Sequence, residues 1–234
     1  MVLNGGAAQK LIVSARTSGD QADAQGVTLF LVDAAASGIT RTVYRMTDGQ
    51  EAANISLENV VAEAVIGAVG EGSEVTDTVV DAARIAVCAN ALGAMESLNE
   101  QTLSYCKTRE QFAVPIGSFQ ALQHRMVDML SACENVKSLL YRAVCAAQEN
   151  SADARRSVLA LKVMTGRAGR LIGGEAIQLH GGMGMTDELP VGFYVKRLMI
   201  INTLFGDADY HQQLFAALAN APTAQAMVGK SEAA

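Results

Sequence analysis

The residues best suited to chemistry lie together in Gln178-Leu179-His180-Gly181-Gly182-Met183-Gly184-Met185, which ends a long helical pattern and leads to Pro190. Glycines let the chain turn sharply and bare its backbone N–H groups, and amides bared in this way meet a phosphate. Gln178, one turn earlier, could add a side-chain amide. The same glycines also suit a plain helix C-cap before a loop, and the segment alone fits both readings. Other chemistries find no support. His124, His180 and His211 share no metal-ligand spacing, there is no Glu-x-x-His pair for a di-iron centre, and neither G-x-S-x-G nor a G-x-x-x-x-G-K phosphate loop occurs. Cys88, Cys106, Cys133 and Cys145 form no C-x-x-C and read as small reduced core residues.

The elements that must position this segment follow from periodicity. With 234 residues the chain can bury one large or two small cores. Half of it is hydrophobic and only 5% aromatic, which suits packed helices. A net charge of −6 argues against nucleic acid as a partner. Apolar runs such as Val27 to Val32 are too short to span a bilayer and nothing resembles a signal peptide, so a cytoplasmic protein without membrane contact is expected. Residues 1–72 read as strands: Lys10 to Ala15, Val27 to Asp33, and two weaker runs, Thr40 to Met46 and Ala52 to Leu57, joined at Asp48-Gly49. No helices alternate with them, so the sheet should be antiparallel. Met1 to Gly6 begins abruptly, as though inside a strand and turn.

Beyond Gly72 the period changes to about three and a half. Thr76 or Asp77 should cap a helix reaching Lys107, with Val80, Ala83, Val87, Ala91, Met95, Leu98 and Thr102 on one stripe. Ser118 should cap a second, whose Phe119, Leu122, Met126, Met129, Cys133, Val136, Leu140, Ala143 and Ala147 hold a strict 3,4 alternation. A third runs from about Ala152 to Leu179, a fourth from Pro190 to Leu204, and a short last one from about Asp207 to Leu218. The expected class is α+β, mostly α: a partial antiparallel β-domain over 1–72, an antiparallel four-helix bundle over 73–220 and a flexible tail over 221–234.

Arg109-Glu110-Gln111-Phe112, followed by Pro115-Ile116-Gly117-Ser118-Phe119-Gln120, resembles the R-x-x-F-G…(F)Q segment between the first two bundle helices of acyl-CoA dehydrogenases. Gln178 to Gly184 resembles that family's Q-x-x-G-G-x-G, Pro190 and Arg197 fall at its downstream proline and arginine, and Asn4-Gly5 resembles the end of its W-x-T-N-G strand. The family's N-terminal helical domain and first strands have no counterpart here. The resemblance implies an FAD cofactor and an acyl-CoA substrate. It implies a homo-oligomer, or a hetero-oligomer with a paralogous subunit, and electron-transferring flavoprotein as acceptor. Arg109 would pair with the FAD pyrophosphate, Phe112 would pack on the dinucleotide, and Gln120 would contact flavin or merely stand near the helix cap. Gln178, Gly181 and Gly182 would reach the same pyrophosphate from another subunit. Arg84 and Phe205 would fall at substrate-facing positions.

The departures concern catalysis. Dehydrogenation takes a proton from the carbon α to the thioester while hydride leaves the β carbon for flavin, and it needs a carboxylate base. The family's Y-E-G-T segment, which usually supplies that base, corresponds to Phe205-Gly206-Asp207-Ala208, with Gly206 at the Glu position. The alternative site, just before an arginine on the first bundle helix, is Ala83 before Arg84. Asp207 is the candidate base one residue away and Asp81 the next, although Asp207 equally suits a helix cap and Asp81 a first helical turn. Ala113 replaces the family's Gly after the Phe. A chain without a base could instead complete the FAD site of a catalytic paralogue.

Overall fold

A computed structural model describes residues 1–23 and 25–220; the tail expected over 221–234 lies outside the described residues. The chain divides into two compact units, Met1–Ala82 and Ala83–Ala234.

The first unit contains β1 (Val2–Leu3), β2 (Lys10–Arg16), β3 (Val27–Asp33), β4 (Ile39–Arg45), β5 (Glu51–Leu57) and β6 (Ala64–Ile66). The strands form two three-stranded sheets, β1-β5-β4 and β2-β3-β6, in which every pair of strands is antiparallel. The sequence suggests a single sheet. Two form because β3 is paired on both edges, by β2 and by the unforeseen β6, which leaves the β4–β5 hairpin to pair with β1. Asp48-Gly49 turns that hairpin, with Gly49 at φ +84°. Leu11, Val32 and Ala34 centre a small core, packed by Phe30, Ile39 and Ile55. The Arg41 guanidinium donates to the carbonyls of Gly5, Gly6, Ala8 and Ala34, fixing the loop after β1.

Five helices follow: α1 (Gly72–Thr108), α2 (Gln120–Gln148), α3 (Ala154–His180), α4 (Val191–Thr203) and α5 (Ala208–Asn220). Between α1 and α2 stand a hairpin of two-residue strands, β7 (Glu110–Gln111) and β8 (Val114–Pro115), and a 3-10 turn over Ile116–Ser118. The alternation in α2 becomes one buried stripe of Met129, Cys133, Val136 and Ala143. From α1 come Cys88, Ala91, Met95 and Leu98, and from α3 Val158, Leu161, Ala168 and Ile172. Together they make one core. The two expected last helices form as α4 and α5, of 13 residues each, and both pack on α3.

Two expected caps are placed differently. α1 starts at Gly72, before Thr76 and Asp77, and the Thr76 hydroxyl donates back to the Gly72 carbonyl at 2.7 Å. A Cβ on Gly72 would stand 2.9 Å from both Leu29 Cγ and Val27 O, so a close approach to β3 sets the helix start. Ser118 donates to the Pro115 carbonyl at 2.7 Å, and extended Phe119 takes the cap position of α2. Among the described helices, α1 is long and apolar enough to cross a membrane by length and composition. The unbroken apolar runs considered from the sequence miss this, because α1 accumulates its hydropathy from Ala, Val and Cys between polar residues. A core helix passes the same test, and Cys88, Ala91, Met95 and Leu98 of α1 are fully buried in the bundle.

Candidate functional site

Arg109 follows α1 directly, its N–H bonded to the Tyr105 carbonyl and its own carbonyl accepting from Ile116, each at 2.8 Å. The start of the β7–β8 hairpin is thereby tied to the last turn of α1. On the facing helix, α3 ends at His180, whose Nδ1–H donates to the Ala176 carbonyl at 2.8 Å. The buried His180 ring lies 4.5 Å from the Tyr105 ring. This contact sets the end of α1 against the end of α3 and opens a cleft of about 390 Å³ lined by Arg109, Gln111, Gln178, Gly181, Gly182 and Met183, among others.

The three glycines of the motif divide by role. Gly181 closes α3 at φ +60° and ψ −138°, a conformation that favours glycine, and its N–H donates to the Gln178 carbonyl. A Cβ on Gly181 or Gly182 would meet nothing within 4 Å, so both present backbone to open space. Gly184 is structural: a Cβ there would stand 2.8 Å from the Ile177 carbonyl. The helix-cap and ligand-cradle readings of this segment are thus compatible. A cleft lined by an exposed arginine, bare glycine backbone and a glutamine suits an anion such as a pyrophosphate.

The tip of the β7–β8 hairpin is Phe112-Ala113, with φ of +54° and +66°. This is the pattern of a type I′ turn without its usual Asn or Gly. Phe112 is 89% exposed, and its ring lies edge-to-face with that of Phe119, at 6.3 Å between centroids.

A second focus lies in residues 204–211, between α4 and α5. Arg84 of α1, 6% exposed, donates from Nε and Nη2 to the Phe205 carbonyl, both at 3.3 Å. Lys162 of α3 is fully buried, and its Nζ donates to the carbonyls of Ile201 at 2.9 Å, Asn202 at 3.1 Å and Gly206 at 2.8 Å. Burial pushes its pKa down to about 8. Two cations thus hold the turn by its backbone. Asp207 Oδ1 accepts from the Tyr210 N–H at 2.8 Å, the bond of an N-cap to α5. His211 is fully buried, its Nδ1–H donating to the Asp207 carbonyl at 2.7 Å, while Nε2 has no partner. Burial holds its pKa below the ordinary value.

The profile of the family described as "Acyl-CoA dehydrogenase, C-terminal domain" matches residues 70–219, more than half of the chain. This chain belongs to the acyl-CoA dehydrogenase family. A short-chain-specific acyl-CoA dehydrogenase from Megasphaera elsdenii is 30% identical over 203 residues, which is 83% of this chain and 52% of that protein. The chain therefore spans about half the length of the curated relatives it matches. Among solved structures, butyryl-CoA dehydrogenase from M. elsdenii superposes with a TM-score of 0.85 at 26% identity, over 93% of this chain and 57% of that one. A structure titled "PigA with FAD and proline" gives 0.86 at 25%, over 93% and 57%. The ChsE4–ChsE5 complex from Mycobacterium tuberculosis gives 0.82 at 26%, over 94% and 58%.

In this chain, Arg109, Gln178, Gly181 and Gly182 line one cleft. The resemblance implies that Gln178, Gly181 and Gly182 reach the pyrophosphate from another subunit; within one chain, the Tyr105–His180 contact sets the ends of α1 and α3 side by side. Phe112 and Gln120 are not among the residues lining that cleft, and Gln120 is the exposed first residue of α2. Arg84 and Phe205 come together through a carbonyl. Lys162 was not singled out from the sequence, and His211 was weighed there only as a metal ligand. Lys162 stands one residue from Leu161 on the buried stripe of α3, and a lysine in such a stripe is the signal that could have found it.

Proposed function

We propose that the chain is an FAD-binding subunit of acyl-CoA dehydrogenase type, serving α,β-dehydrogenation of an acyl-CoA thioester with electron-transferring flavoprotein as electron acceptor. The observation that carries the reading is the one cleft lined by Arg109, Gln178 and the open backbone of Gly181 and Gly182. These residues fit a pyrophosphate: a planar cation for bidentate bonding, amides not screened by a Cβ, and a neutral side-chain donor. FAD held there would supply the hydride acceptor of the reaction. The chain's own residues bind and orient: Arg109 and Gln178 fix the pyrophosphate, the Tyr105–His180 contact keeps their helices in register, and Phe112 offers an apolar face to the dinucleotide.

The test is flavin binding. Arg109→Ala should weaken FAD retention roughly 10- to 100-fold, the worth of one charge-assisted hydrogen bond or two. Apo-protein melting should stay unchanged because Arg109 is exposed. Equal retention by parent and variant would remove the reading.

A second reading is favoured by the turn at 204–207. Gly206 stands at the family's Glu position and Asp207 is engaged as a cap, so the chain would complete the flavin site of a catalytic paralogue in a hetero-oligomer. The ChsE4–ChsE5 neighbour is a complex by its title, which supports considering such an assembly.

A further inference from the structure

Position 206 is closed, and the cause is visible. Gly206 has φ +99°, and a Cβ built on it would lie 2.4 Å and 2.9 Å from Cδ1 and Cε1 of Tyr210 and 2.7 Å from Cε1 of His211. The two rings differ in their freedom. Tyr210 is 48% exposed and can swing toward solvent. His211 is wholly buried and its Nδ1–H is fixed on the Asp207 carbonyl, so it has nowhere to go. Nor can the backbone move away easily, since Lys162 holds the Gly206 carbonyl and Arg84 that of Phe205.

We propose that His211 is the residue that keeps position 206 without a side chain: its imidazole fills the volume that the first atoms of a proton-accepting side chain would need. The functional consequence rests on the dehydrogenase reading above. A carboxylate cannot be restored at 206 by substituting that residue alone, so the base must come from Asp207 or from outside the 204–207 turn. Gly206 and His211 are then a coupled pair, and changing one constrains the other.

A double-mutant cycle on the full chain tests this by thermal melting, without flavin. Gly206→Ala should lower Tm by roughly 5–10 °C, from steric overlap and the left-handed backbone together. On a His211→Ala background the same substitution should cost at most half as much, the remainder being the backbone strain. On a Tyr210→Ala background it should cost nearly the full amount. Gly206→Glu should follow the same order. Equal costs on the parent and His211→Ala backgrounds, or rescue by Tyr210→Ala and not by His211→Ala, would overturn the proposal. Should Gly206→Ala fail to fold, soluble recovery of the Gly206→Ala/His211→Ala double variant supports it, and failure of that double variant as well overturns it. Failure of the dehydrogenase reading is separate: the parent chain would not retain FAD, whatever the melting cycle gives.

Discussion

Lys162 shows how much one side chain can hold in place. Its ammonium serves three carbonyls in a fully buried setting, so Lys162→Met would leave them unpaired and should destabilise the fold by on the order of 3 kcal/mol, measured by urea unfolding at pH 7. Its titration has a definite sign. Folded Lys162 has a pKa of about 8 against 10.5 for the free group, so between those values the unfolded chain binds more protons and stability should rise with pH. His211, with its pKa lowered by burial, acts likewise at the acid end: stability is full above its ordinary value of 6.5 and is lost as pH falls below that. The His211→Val variant should therefore show a flatter decline of Tm below pH 6.5 than the parent. An unchanged acid limb would mean that some other group sets it.

At the scale of elements, the β7–β8 hairpin and α2 give opposite lessons. The hairpin turns on Ala113 at φ +66°, where a Cβ costs about 1–2 kcal/mol. Ala113→Gly should raise stability, the relief of strain exceeding the added freedom of the unfolded chain by about 0.5 kcal/mol. Chemical denaturation would register the gain, and a loss would show that the Ala113 side chain has a packing role. In α2 the stripe governs. Met129 is buried and Met129→Ala should cost about 2–5 kcal/mol, whereas Val127→Ser on the outer face should stay within about 0.5 kcal/mol.

For the whole molecule, the question is what covers Phe112. A phenylalanine 89% exposed at the tip of a strained turn is costly to maintain without a function. In the proposed assembly it packs on a dinucleotide shared with a second chain, homologous or identical. Phe112→Ser should then weaken both FAD retention and self-association, read by sedimentation with and without FAD, while leaving the apo melting temperature within about 2 °C. Loss of neither property would detach Phe112 from the site.

What the sequence determined by itself is what local pattern encodes. The change of period near Gly72, the hairpin at Asp48-Gly49 and the 3,4 stripe from Phe119 to Ala147, whose Leu122 to Ala143 face the core while its two end residues are exposed, were legible because helix faces and turn chemistry are set by neighbours a few residues apart. The motifs around Arg109 and Gln178 were legible by family resemblance. Tertiary structure decided the rest. Only packing could show that Tyr105 meets His180 and joins the two motifs in one cleft, that Lys162 and Arg84 reach carbonyls some 40 and 121 residues away, or that His211 stands over Gly206. Such contacts depend on which side chain a distant backbone happens to face. That Gly206 falls where the family has its Glu is an implication of resemblance; that the buried His211 ring crowds the position follows only from the fold.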